Sequence, residues 1–182
     1  MWPFDKPKTD ARRGRMVFLI ECLLNQNARD RGAAQAPAVT PGLIQLLTEK
    51  DVGMVQISCP EMNCLGFARK RLPGQSIREA LETPTASACC EHLANTTAER
   101  IRHYTDQGFE VLCILGGNSQ SPACAVQPGN DETRSLTGRS GVFMQALARE
   151  LESRVPGIPF RGIRDADPGL LAEDLSWLKR LL

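Results

Sequence analysis

Histidine is nearly absent from this chain, which has 182 residues and only 2 histidines, at positions 92 and 103. A bound metal would therefore depend on cysteine sulfur, with carboxylate or solvent as further ligands. A charge of one sign is also lacking, because 22 lysines and arginines balance 21 aspartates and glutamates. We therefore expect neither nucleic acid nor a membrane surface as a partner, since near-neutrality gives no broad electrostatic attraction to either.

Long apolar runs are missing as well. The longest, such as MVFLI and VLCIL, have the length of a strand and are too short to span a membrane. The start of the chain, MWPFDKPKTDARRGR, is polar and charged, so we expect no secretory signal. We therefore expect a cytoplasmic protein whose seven cysteines are reduced thiols, some of them metal-bound, rather than a disulfide scaffold.

Strand-sized apolar segments alternate with amphipathic segments along the chain. Strands are predicted at 15–21, 53–58, 109–117 and 158–163, and helices at 41–50, 86–107, 142–151 and 170–182. This βαβαβαβα order predicts one α/β domain over 15–182, with a mostly parallel sheet covered by helices in a Rossmann-like, three-layer arrangement. We expect a mobile tail at 1–14 and a long connection at 62–85, with a short helix near 77–81.

Three cysteines each follow a predicted strand. Cys22 comes after MVFLIE, Cys59 after GMVQIS, and Cys124 a short loop after VLCILGG. Because the carboxyl ends of parallel strands meet at one edge of the sheet, these thiols are predicted to converge. Three thiols at one point indicate a metal or iron–sulfur centre with an open coordination position. The alternative is three ordinary buried cysteines, since free cysteine is among the most buried residue types.

The other four cysteines are weaker candidates for ligands. Cys113 lies inside a strand and is predicted to be in the core, and Cys89 and Cys90 fall in a helix where neighbouring side chains do not share a face. Cys64 follows Cys59 by five residues and is either a reserve ligand or a loop thiol.

Polar residues flank the three strand-end cysteines. Glu61 follows Cys59-Pro60 and is a candidate general acid or base, although an exposed loop glutamate is equally compatible with the pattern. In the segment GGNSQSPAC, Asn118 and Ser119 offer neutral hydrogen bonds to a small polar ligand. The segment lacks the full pattern of a nucleotide-binding loop. Asn25 and Gln26 carry amides suited to a heterocycle, or they belong to a solvated loop.

The segments CLLNQN, QISCPEMNCLGFARKR and GGNSQSPAC, followed by GVFMQAL, together resemble the thiouracil desulfidase (TudS) family and its relatives, over residues 16–154. The resemblance implies a [4Fe–4S] cluster held by Cys22, Cys59 and Cys124, with a fourth iron that binds the sulfur of a thiolated small molecule such as 2-thiouracil. Sulfur leaves as sulfide and water supplies the oxygen, without net redox change. The family's catalytic glutamate and serine correspond to Glu61 and Ser121.

The chain departs from the family pattern in the third cysteine segment. The family commonly has Ser-Pro-Ser-Cys-Gly, whereas this chain has alanine at positions 123 and 125. The first change removes a hydrogen-bond donor and the second alters the turn, so both bear on the substrate more than on the cluster.

The residues and the resemblance together predict an iron–sulfur-dependent desulfidase. An open iron is a soft Lewis acid suited to a thiocarbonyl sulfur, and Glu61 would deprotonate the attacking water or protonate a ring nitrogen. One alternative is a cluster- or metal-carrying sulfur trafficking or binding protein without turnover. Another is a thiol redox or persulfide enzyme that uses Cys59 with Cys64. The sequence leaves the oligomeric state open.

Overall fold

The computed structural model describes residues 10–127 and 136–182, and residues 1–9 of the predicted tail lie outside this part of the chain. Within these described residues, four strands form one all-parallel sheet with the order β2-β1-β3-β4. The strands are β1 (Arg15–Ile20), β2 (Gly53–Ile57), β3 (Glu110–Gly116) and β4 (Phe160–Gly162). The helices are α1 (Glu21–Leu24), α2 (Pro41–Glu49), α3 (Pro60–Leu65), α4 (Ile77–Leu81), α5 (Pro84–Asp106), α6 (Val142–Arg154) and α7 (Pro168–Leu181), and a 3₁₀ turn spans Gln26–Ala28. The predicted single-domain α/β fold is confirmed.

The strand β1 lies at the centre of the sheet and is almost completely buried. Its Phe18 pairs with Val55 of β2 on one side and with Ile114 of β3 on the other. A strand covered on both faces carries apolar residues without alternation, which is why MVFLI is a continuous run. The edge strand β2 instead alternates, with Val55 and Ile57 buried and Gln56 exposed.

Helices cover both faces of the sheet. The helix α2 packs against α7, and α5 packs against α6. The chain moves from β1 towards one edge and then returns past β1 to β3 and β4, so right-handed crossovers place α2 opposite α5 and α6. The strand order therefore reverses between β1 and β3, which is where open α/β sheets form their ligand crevice. In the described ranges, no helix is long and apolar enough to cross a membrane.

Two short helices that the sequence pattern does not predict lie near the ends of strands: α1 begins directly after β1, and α3 begins a short segment after β2. Cys22 lies in α1, and α3 occupies the start of what was predicted to be a connection at 62–85. These helices have four and six residues, too few for the helical periodicity that identifies a helix in a sequence. The predicted short helix is present as α4, where Ser76 and Glu79 form a reciprocal cap.

Cys64 and Cys89 form a disulfide, so the expectation that all seven cysteines are reduced is wrong for these two. The reason is tertiary: α3 packs against α5 and brings the two Cα atoms to 5.6 Å, within the range that a disulfide spans. The remaining five cysteines are free, and Cys113 is fully buried in the core, as predicted.

Candidate metal centre

Cys22, Cys59 and Cys124 all line one cavity of about 420 Å³ at the carboxyl edge of the sheet. Cys22 follows β1, Cys59 follows β2, and Cys124 lies in the loop after β3, so the three side chains come from three adjacent strands. The fold thus brings together thiols that lie far apart in the sequence. The opposite outcome, three cysteines packed separately into the core, is not what the structure shows.

Glu21 links the ends of the first two strands. It is buried at the start of α1, next to Cys22, and its Oε2 accepts a hydrogen bond of 2.9 Å from the backbone N–H of Cys59. A carboxylate that accepts a buried backbone N–H satisfies a donor that would otherwise be costly to bury. Glu21 therefore positions Cys59 relative to Cys22.

The loop that carries Cys124 is held from two sides. The N–H of Gly117, just after β3, donates to the carbonyl of Cys124 at 2.9 Å. The start of α6 also donates four backbone N–H groups to carbonyls of this loop: Gly141 to Ala125, Val142 to Pro122, and both Phe143 and Met144 to Ala123. A Cβ at Gly141 would lie 2.1 Å from the carbonyl carbon of Ala123, so only glycine permits this close approach.

Each of the three sulfurs has its own polar neighbour. Arg69 Nη2 lies 3.8 Å from Cys59 Sγ, and Ser121 Oγ lies 3.1 Å from Cys124 Sγ. The guanidinium of Arg29 lies beside the thiol of Cys22. Two buried cations and one hydroxyl thus surround the thiols, and such groups favour the thiolate over the thiol.

Arg29 belongs to a network of buried polar side chains. Arg29 pairs with Asp165, which follows β4, and the same Asp165 Oδ2 accepts from Gln26 Nε2 at 3.2 Å and from Thr40 Oγ1 at 3.3 Å. This network joins the 25–40 segment to the end of β4. Thr40 occupies the N-cap position of α2, but its hydroxyl bonds to Asp165 rather than capping the helix.

Arg69 is the largest fully buried side chain described here, with 1% of its side chain exposed. It donates to the carbonyls of Phe67 and Ala28, and its Nε lies 3.6 Å from Glu61 Oε2. That distance suits an ion pair but is too long for a hydrogen bond. The Nε atoms of both Arg29 and Arg69 are buried without a hydrogen-bond partner among the described residues.

Burial governs the protonation of the thiols. Removal from water raises the pKa of Cys22 to about 11, against the opposing charge of Arg29. Burial also raises the pKa of Cys59 and, more strongly, that of Cys124, where the thiols of Cys22 and Cys59 add to the rise. In the absence of a bound cation, the three groups are therefore thiols at neutral pH.

Glu61 lies between the arginine and the third cysteine. Ser121 Oγ donates to Glu61 Oε1 at 3.3 Å and also contacts Cys124 Sγ, so the hydroxyl bridges the carboxylate and the thiol. Burial raises the pKa of Glu61, and the charge of Arg69 and the hydrogen bond from Ser121 oppose that rise. A carboxyl in a cavity whose pKa is raised is a candidate general acid or base.

The other predicted contact residues divide into two groups. Asn118 lines the cavity, together with Glu61 and Ser121. Asn25, Gln26 and Ser119 do not line it, so the expectation that they contact a ligand gains no support from the cavity and stays a prediction. The side chain of Asn25 caps the 3₁₀ turn, Gln26 is buried in the Asp165 network, and the hydroxyl of Ser119 faces Asn118 Oδ1.

The two alanines of the third cysteine segment are fully buried and lie outside the cavity lining. Ala123 belongs to the apolar core, and Ala125 pairs with Gly117 in an isolated parallel bridge. They therefore contribute to packing of the loop, and the expectation that they bear on the substrate stays a prediction.

Glu21, Arg69 and Asp165 had no part in the sequence-based prediction of the site. Glu21 ends an apolar run next to Cys22, and a charge in that position was an available signal. Arg69 lies in the charged run ARKR, where the sequence does not distinguish the one buried arginine from its exposed neighbours. Asp165 follows the last strand, and its role depends on contacts far away in the chain.

In the described ranges, no group of three or more His, Cys, Asp or Glu side chains lies within the reach of one metal ion. A single zinc ion would hold its thiolates within about 4 Å of one another, because each Zn–S bond is about 2.3 Å. The three cysteines surround the cavity without forming a compact site of that kind.

The fold and this cavity define a class: a small α/β protein with a doubly covered parallel sheet and a cysteine-lined crevice at its carboxyl edge. The chain is similar to the uncharacterized protein MJ0003 of Methanocaldococcus jannaschii, with 22% identity over 138 residues, which cover 76% of this chain and 78% of that protein. No protein-family model matches the chain. No solved structure matches it.

Proposed function

We propose that this protein is an iron–sulfur-dependent desulfidase that replaces the sulfur of a thiolated small molecule with oxygen from water. The observation that carries the proposal is the convergence of three free thiols from three strand ends on one cavity that also contains Glu61 and Ser121. Three cysteines alone would be equally compatible with a site that stores a metal or that uses a metal to stabilise the fold. A carboxyl of raised pKa beside it supports hydrolytic chemistry.

The donor set fits a cluster better than a single ion. In a cluster each thiolate binds a different iron, so the sulfurs stand farther apart than around one ion. Cys22, Cys59 and Cys124 would hold the cluster. The partnerless Nε atoms of Arg29 and Arg69 support this assignment, because deprotonated sulfur is a better acceptor for buried N–H groups than a thiol is.

The cluster would supply an open iron, a soft Lewis acid that suits a thiocarbonyl sulfur. The overall reaction balances without an oxidant or reductant: C=S and water give C=O and hydrogen sulfide. Carbon exchanges a bond to sulfur for a bond to oxygen, and both protons of water leave with the sulfide. A small heterocyclic thione, as in the thiouracil-like substrate that the family resemblance implies, is the class of substrate we infer.

In this reaction Glu61 accepts and returns the proton, and Ser121 hydrogen-bonds to the carboxyl of Glu61. Glu61 lies against Arg69 on one side and receives the Ser121 hydroxyl on the other, so both its ionised and its neutral form have a partner. Its raised pKa allows it to take a proton from water and return it to the leaving sulfur or to a ring nitrogen. Asn118, on the cavity wall, offers an amide donor and acceptor for the ring.

The proposal is tested by anaerobic reconstitution with iron and sulfide, followed by iron analysis, visible spectroscopy and a sulfide-release assay on a panel of thiolated pyrimidines. We expect a [4Fe–4S] spectrum and release of sulfide from at least one compound. Replacing all three cavity cysteines by alanine should abolish iron binding, whereas Cys113→Ala, which removes a thiol from the core, should retain it.

The role of Glu61 is tested separately with Glu61→Gln, and Glu49→Gln on the surface of α2 serves as the matched control. We expect Glu61→Gln to bind iron as the unmodified chain does and to lose turnover. Iron binding without sulfide release from any compound would favour a sulfur trafficking or binding protein. Failure to bind iron would overturn the proposal.

A further inference from the structure

A second group of cysteines lies at the far end of α3 and outside the cavity lining. Cys64, on α3, is bonded to Cys89, on α5, and Cys90 Sγ lies 3.8 Å from Cys64 Sγ. The sulfur of Cys64 thus has one bonded and one non-bonded partner on the same helix. This arrangement also replaces the Cys59–Cys64 pair considered from the sequence, because Cys59 lines the cavity and Cys64 is bonded elsewhere.

The three cysteines differ in access to solvent. Cys64 and Cys89 are half-buried, so a small molecule can reach their disulfide, whereas Cys90 is buried with 1% exposed. Burial, together with the charge of Glu91, raises the pKa of Cys90 to about 11. Cys90 is therefore protonated at rest and does not displace Cys89 until the disulfide is opened from outside.

We propose that Cys64, Cys89 and Cys90 form a thiol–disulfide exchange site, at which a small thiolate opens the Cys64–Cys89 bond and Cys90 then closes on Cys64. The incoming thiolate bonds to Cys64 Sγ, and the electron pair of the broken bond leaves on Cys89 Sγ. Cys90 next gives up its proton to Cys89 and bonds to Cys64 Sγ, and the small thiolate departs. One disulfide is broken and one is formed, so the exchange needs no oxidant or reductant.

The helix α3 connects this site to the cavity. Cys59 and Glu61 lie at its start and Cys64 lies near its end, and the helix has only six residues. The exchange site therefore lies one short helix away from Glu61.

The exchange is tested on the full chain without a cluster, so its result does not depend on the proposed function. Wild type, Cys89→Ser, Cys90→Ser and Cys64→Ser are held in a mixture of reduced and oxidised glutathione, trapped by alkylation, digested and mapped by mass spectrometry. We expect Cys89→Ser to contain a Cys64–Cys90 disulfide in most molecules and Cys90→Ser to retain Cys64–Cys89. We expect Cys64→Ser to contain neither. Circular dichroism verifies that each variant is folded.

A second measurement avoids variants altogether. Wild type is exposed briefly to reduced glutathione, trapped, and examined for both linkages. We expect the Cys64–Cys90 linkage to appear alongside the original one. A Cys89→Ser protein in which Cys64 and Cys90 stay alkylatable would overturn the exchange, and so would wild type that gives only the original or the fully reduced form.

Discussion

A Cβ placed on Gly117 would lie 2.7 Å from the sulfur of Cys124, closer than real Cβ contacts come. Gly117 is buried at the end of β3 and has no positive φ that would require glycine. Its lack of a side chain is therefore explained by the sulfur that occupies the adjacent space. The glycine pair that ends β3 serves to admit Cys124 to the cavity as well as to form a turn.

Gly117→Ala should displace the Cys124 sulfur while leaving the fold intact. We expect iron affinity to fall roughly 10- to 100-fold, the range found when groups that orient metal ligands are changed. Iron content and visible absorbance after anaerobic reconstitution measure this effect. Gly138→Ala is the matched control, because a Cβ there has no neighbour within 4 Å. Equal iron content in both variants would contradict the steric role.

Arg69→Met should destabilise the fold, because it leaves the half-buried Glu61 without its cation and two carbonyls without their donor. We expect a loss of about 3 kcal/mol in the free energy of unfolding, measured by urea denaturation. Lys70→Met changes an exposed cation next to it and should alter stability by less than about 0.5 kcal/mol. In a Glu61→Gln background the cost of Arg69→Met should shrink. The same cost in both backgrounds would show that the ion pair contributes nothing.

Alkaline pH should destabilise the chain when no metal is bound. Burial raises the pKa of Cys22 and Cys90 to about 11 and that of Cys113 to about 12, from 9.0. Between pH 9 and 11 the unfolded chain therefore loses thiol protons that the folded chain keeps, and stability falls by at most about 1.4 kcal/mol per pH unit for each such thiol. Urea denaturation across this range measures the slope.

The variant with alanine at positions 22, 59 and 124 is the control for this pH dependence. It removes three of the five free thiols and leaves Cys90 and Cys113, so its stability should fall less steeply with pH. Parallel curves for the two proteins would show that the cavity thiols are not the groups that titrate.

Much of the architecture could be predicted from local patterns. The four strands and the long helices were found because each carries a continuous or periodic apolar pattern long enough to recognise. The short helices α1 and α3 were not predicted because a segment of four to six residues is too short to show a helical periodicity. The Cys64–Cys89 disulfide was not predicted because its formation depends on how α3 packs against α5.

The residues of the candidate site were likewise only partly predictable from the sequence. Cys22, Cys59 and Cys124 could be selected because each follows a strand, and parallel strands end together. Asn25, Gln26 and Asn118 look alike as loop amides, yet only Asn118 lines the cavity. The direction of a loop side chain depends on partners such as Asp165, which joins Gln26 from more than a hundred residues away.

The sequence by itself determined the alternation of strands and helices and the placement of three cysteines at strand ends, because both depend on neighbouring residues and the geometry of one sheet. Only the tertiary structure decided which charges are buried beside the sulfurs and which cysteines are bonded. Those outcomes depend on the desolvation of Arg29 and Arg69 and on contacts between segments that are remote in the chain. The local sequence around these residues reveals neither their burial nor their partners.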